Sequence, residues 1–574
     1  MEFLKQHRAA LISSFILALL IEFPLVAFYF KAGDSYQGIN IAHFGTDEHL
    51  YLTRGNDVLH GNYLGNPALK EGKSTKQDYY FTINEYVLVG PLYFLGLKDQ
   101  INIVTLYNIY NFIGVFLLIL LIYFLTLKIS ANKFLAISAA LFVVGGYSIV
   151  YNKTFFYEDF NVYGRSLYPY IGSLAFFSYL LALVKALKSE KIKTIFFAGA
   201  LYGLLFYVYF YAWTFALVLN GILFLALLFW KDFRNAKRVF WINILGFFIG
   251  SLYLLRIFNF LNSPAGEQFY YFSWSSLGSA PIMNNLGLLS LVLFCFFIYK
   301  DREDSNAPFV LSVALAGFVA LNQQIITGRM LQQNHYYWFF IVPLFIITTF
   351  YMLWKLSENY NFLRKISFGL LILLALLNTA IGQYRSFGTT YESKLYDQKY
   401  KSVLEILNKE KESEVVLAGD DPYAQLVNIY TPHDLFWHNF AAMNYNPMQR
   451  FKDALYLYVY LNKNTRNDFI NNAPTHAVYE GIEGYLSGFD HYEYYRRLGR
   501  KDPELLEKRE KLLNDFSEEY NKLARSPKNI VEMLKKYEVR YILWDENIYS
   551  SWDLSFINTL HEIKSENNIH LYEI

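Results

Sequence analysis

Between His43 and Pro67 the chain reads His43-Phe-Gly-Thr-Asp47-Glu48-His49-Leu-Tyr51-Leu-Thr-Arg54-Gly-Asn-Asp57-Val-Leu-His60-Gly61-Asn-Tyr63-Leu-Gly-Asn-Pro67. Two adjacent acids, Asp47 and Glu48, open a predicted helix, a favourable place for negative charge. Asp47, Tyr51 and Arg54 follow at helical spacing and share one face. A carboxylate presented in this way can take a proton from an acceptor hydroxyl as general base. The plainer reading of the same residues is an acidic helix start with an Asp–Arg surface pair.

Two further clusters hold polar groups between apolar runs. The stretch from Tyr151 to Arg165 carries Glu158 and Asp159, placed to orient an acceptor or simply to solvate a loop. The stretch from Asn322 to Trp338 holds Arg329 and His335 among several amides. Arginine suits a lipid-linked phosphate because its fork can bond two oxygens, and His335 is placed to assist. Arg256 lies near the end of another apolar run. A charge there is costly, and is either functional or snorkels to the surface. The aromatic stretch Phe269–Trp274 suits interfacial anchoring, or stacking on a sugar.

The elements that must position these groups are membrane spans. Of 574 residues, 54% are hydrophobic and 19% aromatic. The apolar residues gather into charge-poor stretches long enough to cross a hydrocarbon core of ~30 Å. About eleven such stretches are expected to be helices, because a backbone in lipid must satisfy its own hydrogen bonds. They cover 9–30, 101–127, 134–151, 166–184, 194–211, 213–230, 239–260, 285–299, 308–325, 336–354 and 366–382. The run at 9–30 is read as a retained first span rather than a signal peptide. Loops on one side hold seventeen Lys and Arg; the short loops opposite hold only Lys153, Arg165 and Arg329. The positive-inside rule then places the N-terminus in the cytoplasm, and the loop 31–100 and the tail outside. The segment Glu85–Leu97 is too short to cross and is expected on the membrane surface.

The chain divides at 384. Residues 1–384 form the transmembrane part, and 385–574 are charged and rich in turns. Glu414–Asp420, Arg540–Trp544 and Ile569–Glu573 read as strands, and 395–410, 447–461, 503–524 and 528–537 as helices. A small extracytoplasmic α/β domain is therefore expected.

Several classes are excluded. A net charge of +2 advertises no nucleic-acid surface. Cys295 is the sole cysteine, which closes intramolecular disulfides and zinc-cysteine clusters. His433 and His438 have no third ligand at a recognisable spacing. No glycine-rich phosphate loop is present, which argues against a nucleotide-driven pump.

A first span, then Asp-Glu, an aromatic, a basic residue and a Gly-Asn-Tyr-Leu-x-x-Pro ending resembles the first periplasmic loop of the GT-C glycosyltransferases. The nearest branch is the protein O-mannosyltransferase and lipid A aminoarabinose transferase group. The resemblance implies a polytopic helical enzyme that takes a sugar from a polyprenyl-phosphate carrier and transfers it with inversion on the outer face. It implies Asp47 as catalytic base with Glu48 its neighbour. Glu158, Asp159 and Tyr51 then position the acceptor, and Arg329, His335, Arg256 and Arg54 bind the donor phosphate. No metal or other cofactor is predicted, although Glu158 or Asp159 could hold a divalent ion with Asp47. The expected partners are the lipid-linked sugar, an acceptor that is glycan, lipid or protein, and membrane lipid; the expected place is the plasma membrane. The alternatives are a transporter or flippase of a lipid-linked substrate, a non-catalytic GT-C-like protein, and a polysaccharide ligase or polymerase. Mid-span regions nearly free of charge, with polar groups gathered at one face, favour surface chemistry over transport.

Overall fold

The computed structural model describes residues 2–42, 47–74, 82–266, 268, 274–275, 281–327, 329–330, 332–410, 412–476, 478–479 and 503–574. Six of its helices are long and apolar enough to cross a membrane: Ile103–Ser130, Tyr170–Leu187, Phe210–Phe229, Phe233–Leu261, Asn334–Leu356 and the run Glu358–Leu407. A seventh candidate is the bent pair at the N-terminus, Arg8–Ile21 and Phe23–Ala32, which turns by 51°. Four shorter apolar helices, Lys133–Gly145, Ile192–Val208, Asn285–Lys300 and Ala307–Leu321, fall on other expected spans. The chain is a multi-pass membrane protein built as a helical bundle with a small sheet near its C-terminus.

Local sequence explains where these helices begin and end. Asn102 caps Ile103–Ser130 by accepting from the Val104 and Thr105 amides at 2.9 and 3.1 Å. That helix stops at Ala131, in the left-handed region, and Asn132 caps the next one. The first span bends at Glu22, with Pro24 in the first turn of its second half. The buried Glu22 carboxylate accepts from Asn111 at 2.7 Å, which satisfies a polar group that lipid could not.

Glycine permits a close crossing of Ile192–Val208 and Phe233–Leu261. A side chain at Gly246 would strike the Tyr202 ring, and one at Gly250 the Phe206 ring. Without a hydrophobic drive between helices in lipid, such close backbone approach supplies the packing. The same helix, Phe233–Leu261, turns Phe248 and Leu252 outward, 76% and 70% exposed. In water those side chains would be a liability; in hydrocarbon they are at home.

The expected helix pair 194–230 is broken at Tyr209, not in the 211–213 stretch. Ile192–Val208 ends, Tyr209 is extended, and Phe210–Phe229 begins. A π-helical turn at Tyr337–Ile341 follows His335. The expected surface segment folds as two short helices, Asn84–Leu88 and Gly90–Phe94, with Val87 and Phe94 exposed.

Residue 384 falls inside a helix, Asn361–Asp397, that runs unbroken from the apolar region into the tail. Beyond it lies a five-stranded sheet in the order Asp434–Leu435, Val415–Leu417, Val539–Asp545, Ile569–Glu573, His561–Glu566. The first three strands are parallel and the last two pairings antiparallel. The first long loop is knitted to this part. Leu435 N donates to Ala68 O at 2.9 Å. Asn56 Nδ2 reaches Asn428 O at 2.8 Å. Lys73 bridges Asp57 and Asp434 at 3.1 and 2.6 Å.

Candidate active site

Asp47 occupies the cap of the helix Glu48–Leu59, yet its carboxylate does not cap it. Oδ2 accepts instead from Arg165 Nη2 at 2.9 Å. The Asp47 side chain is 47% exposed and that of Arg165 only 11%. An open carboxylate thus rests on an enclosed guanidinium.

Glu48 has the opposite fate. It is fully buried, and Oε1 accepts from the Ser166 amide at 2.5 Å. Burial pushes its carboxyl above the usual range, with the Ser166 amide opposing. Glu48 therefore fastens the helix to the 165–166 segment, which leaves Asp47 facing the opening.

A line of rings runs behind Asp47. Tyr51 lies 5.0 Å from Tyr168, and Tyr168 lies 5.1 Å from Tyr209. Tyr209 stacks on His335 at 6.1 Å, and its hydroxyl shares a hydrogen bond with His335 Nδ1. The charges of Asp47 and Arg165 both act on His335. The break at Tyr209 places that hydroxyl here, and the π-helical turn lies just past the histidine. Such turns recur at functional sites. The helix that carries Asp47 and Tyr51 is thus joined to Tyr209 and His335, far away in sequence, through Tyr168.

Beside this group opens a cavity of about 320 Å³. Tyr147, Tyr151, Tyr157, Trp338, Asn161, Asn378, Asp159 and Arg165 are among its lining residues. Arg165 therefore belongs to both the cavity wall and the Asp47 pair.

The other expected residues lie differently. Arg54 is buried, and its Nε donates to Glu85 Oε1 at 2.6 Å. The expected Asp–Arg surface pair is replaced by two pairs, Asp47–Arg165 and Arg54–Glu85. Glu158 is 74% exposed, 3.7 Å from Arg385, while Asp159 reaches the cavity. Arg256 is exposed on Phe233–Leu261. The backbone of Arg329 pairs with Ser275, but its side chain lies outside the described residues, as do His43 and 269–273. His433 and His438 serve packing. His433 Nδ1 accepts from Glu414 N at 3.1 Å, and its Nε2 meets Leu407 O at 2.8 Å. His438 Nδ1 meets Gln425 at 3.2 Å.

Arg165 was not singled out by sequence reasoning. Its signal was there: one of three cations in the short loops opposite the basic side, closing the loop that holds Glu158 and Asp159.

No family model matches this chain, and no curated protein matches it. Among solved structures it is similar to the Archaeoglobus fulgidus oligosaccharyltransferase complex with Zn and sulfate. The TM-score is 0.48 at 13% identity, covering 93% of this chain and 68% of that one. It is also similar to ArnT from Cupriavidus metallidurans bound to undecaprenyl phosphate. There the TM-score is 0.43 at 10% identity, over 73% of this chain and 85% of that one. The likenesses are loose, and the functional reading rests on the site's own chemistry.

Proposed function

We propose that this protein is a membrane glycosyltransferase that moves a sugar from a polyprenyl-phosphate carrier to an acceptor hydroxyl, with inversion. One observation carries the reading. A half-exposed carboxylate, Asp47, stands beside a ring-lined cavity where the apolar bundle meets the first loop. That is where a lipid-borne donor and a water-borne acceptor would meet.

The step is a single displacement. Asp47 takes the proton of the acceptor hydroxyl, and the acceptor oxygen forms a bond to the anomeric carbon. The bond from that carbon to the phosphate oxygen breaks, and the carrier phosphate leaves with the electron pair. Cations stabilise its charge; Arg329 and Arg256 keep that proposed role on their sequence positions. Glu48 positions Asp47 from below. Tyr51 flanks the acceptor side, Glu158 steers the acceptor from its exposed loop, and Asp159, in the cavity wall, bonds a hydroxyl of the transferred sugar. No cofactor enters the proposal.

Eleven crossings, with the N-terminus in the cytoplasm and the tail outside, complete the reading. The alternation of basic loops supports that orientation, and the plasma membrane is the proposed location. The test is transfer of labelled sugar by the purified chain in proteoliposomes, wild type beside Asp47→Asn. Full activity in the folded variant would refute the assignment.

A further inference from the structure

Among the described residues, Arg165 and Tyr147 in the wall of the cavity each carry a buried donor without a partner. Arg165 spends Nη2 on Asp47, but its Nε is buried and unbonded. The Tyr147 hydroxyl, in a side chain only 4% exposed, is likewise unbonded. A buried donor left unpaired is unfavourable, and a ligand oxygen relieves it when the Arg165 side chain turns into the cavity.

The walls suit a sugar. Tyr147 and Tyr151 stack at 5.5 Å, and Trp338 stands edge-on to Tyr151 at 5.5 Å. Three wall amides are already engaged: Asn378 accepts from Phe156 N at 2.8 Å, Gln383 accepts from Asn161 N at 2.8 Å, and Asn161 Nδ2 donates to Val144 O at 2.9 Å. The cavity is therefore preformed. At about 320 Å³ it sits at the small end of the ~300–1,000 Å³ typical of ligand sites. That is room for one sugar ring, not a chain of them.

We propose that this cavity receives the sugar-phosphate headgroup of the donor, one ring in size, and that its phosphate draws Arg165 off Asp47. Donor binding then unmasks the base. The inference rests on the glycosyltransferase reading and adds an order to it. While the guanidinium holds Asp47 Oδ2 at 2.9 Å, that oxygen is not free to take the proton of an acceptor hydroxyl. A phosphate offers the fork two oxygens, and Asp47 becomes a competent base only with the donor in place.

The test is equilibrium binding to the full chain in detergent micelles. The probes are bare polyprenyl phosphate, the same carrier bearing glucose, mannose or galactose in turn, and polyprenyl diphosphate bearing an oligosaccharide. Arg165→Gln should weaken binding of the bare carrier about tenfold, the scale of a lost charge-assisted bond. Asp47→Asn should tighten it several-fold, because Arg165 is no longer shared; a merely structural role would not give opposite signs. At least one single-hexose carrier should bind more tightly than the bare carrier, a gain lost in Trp338→Ala and reduced in Tyr147→Phe. The oligosaccharide donor should gain nothing. Unchanged affinity in Arg165→Gln, or weakening in Asp47→Asn, would overturn the proposal, as would an equal gain from the oligosaccharide.

Transfer is measured on the same preparations. Transfer by wild type with donor affinity unmoved by Arg165→Gln would sink the cavity assignment and spare the reading. Binding as expected, without transfer to any acceptor in a membrane extract, would sink the reading and keep the cavity as a lipid-phosphate site.

Discussion

Arg165 Nη2 lies 2.9 Å from Asp47 Oδ2, across 118 positions of sequence. The pair ties the first long loop to the loop before Tyr170–Leu187. It also divides the labour of two adjacent acids, since Glu48 is bound to Ser166 next door. Asp47 is left with one guanidinium contact and an open side, from which an acceptor hydroxyl can reach the carboxylate once that contact is released.

The Tyr209–His335 bond holds the histidine beside this pair. Tyr209→Phe deletes the bond and keeps the ring stack. Transfer should fall about tenfold, consistent with ~1–3 kcal/mol for a buried polar group left unpaired. The thermal midpoint should stay close to wild type. An unchanged rate would remove His335 from the site.

Arg54 and Glu85 form a pair enclosed on all sides, with side chains 2% and 0% exposed. Removing one partner of such a pair costs about 3–5 kcal/mol, because the other charge stays buried. Glu85→Gln should therefore destabilise strongly in denaturant unfolding in detergent. Arg54→Met with Glu85→Leu should recover much of the loss. A mild single variant would show that water reaches the pair.

Burial raises the Asp420 carboxyl to about 7, with Asp421 adding to the rise and the Asn439 amide opposing it. A folded-state value above the unfolded one means that the folded chain binds the proton more tightly. This contribution to stability is complete below the ordinary range, near 4, and is lost as pH rises through about 7. The thermal midpoint should thus fall between those limits, and Asp420→Asn should flatten the fall. An identical slope in the variant would assign the effect elsewhere.

Some of this was legible in sequence because it is local. Long apolar runs must become helices in lipid, and the strand Ile569–Glu573 was read to the residue from its alternation. His561–Glu566 was not, because an edge strand with exposed Glu562 and Glu566 carries no apolar period. Asp434–Leu435 is only two residues long. In the site, helical spacing put Asp47, Tyr51 and Arg54 on one face, but spacing cannot name partners. Arg54 found Glu85, 31 positions on, and Asp47 found Arg165. Both choices depend on how separate loops fold over one another. The break at Tyr209 was also hidden, since an apolar sequence with an aromatic junction marks no single residue as extended.

The most direct measurement is transfer of labelled sugar from polyprenyl-phosphate-linked donors to a membrane-extract acceptor in proteoliposomes, wild type against Asp47→Asn. The account predicts transfer by wild type, and its loss in a variant that keeps its thermal midpoint and still binds the carrier. Equal transfer by both would contradict the central claim that Asp47 is the base.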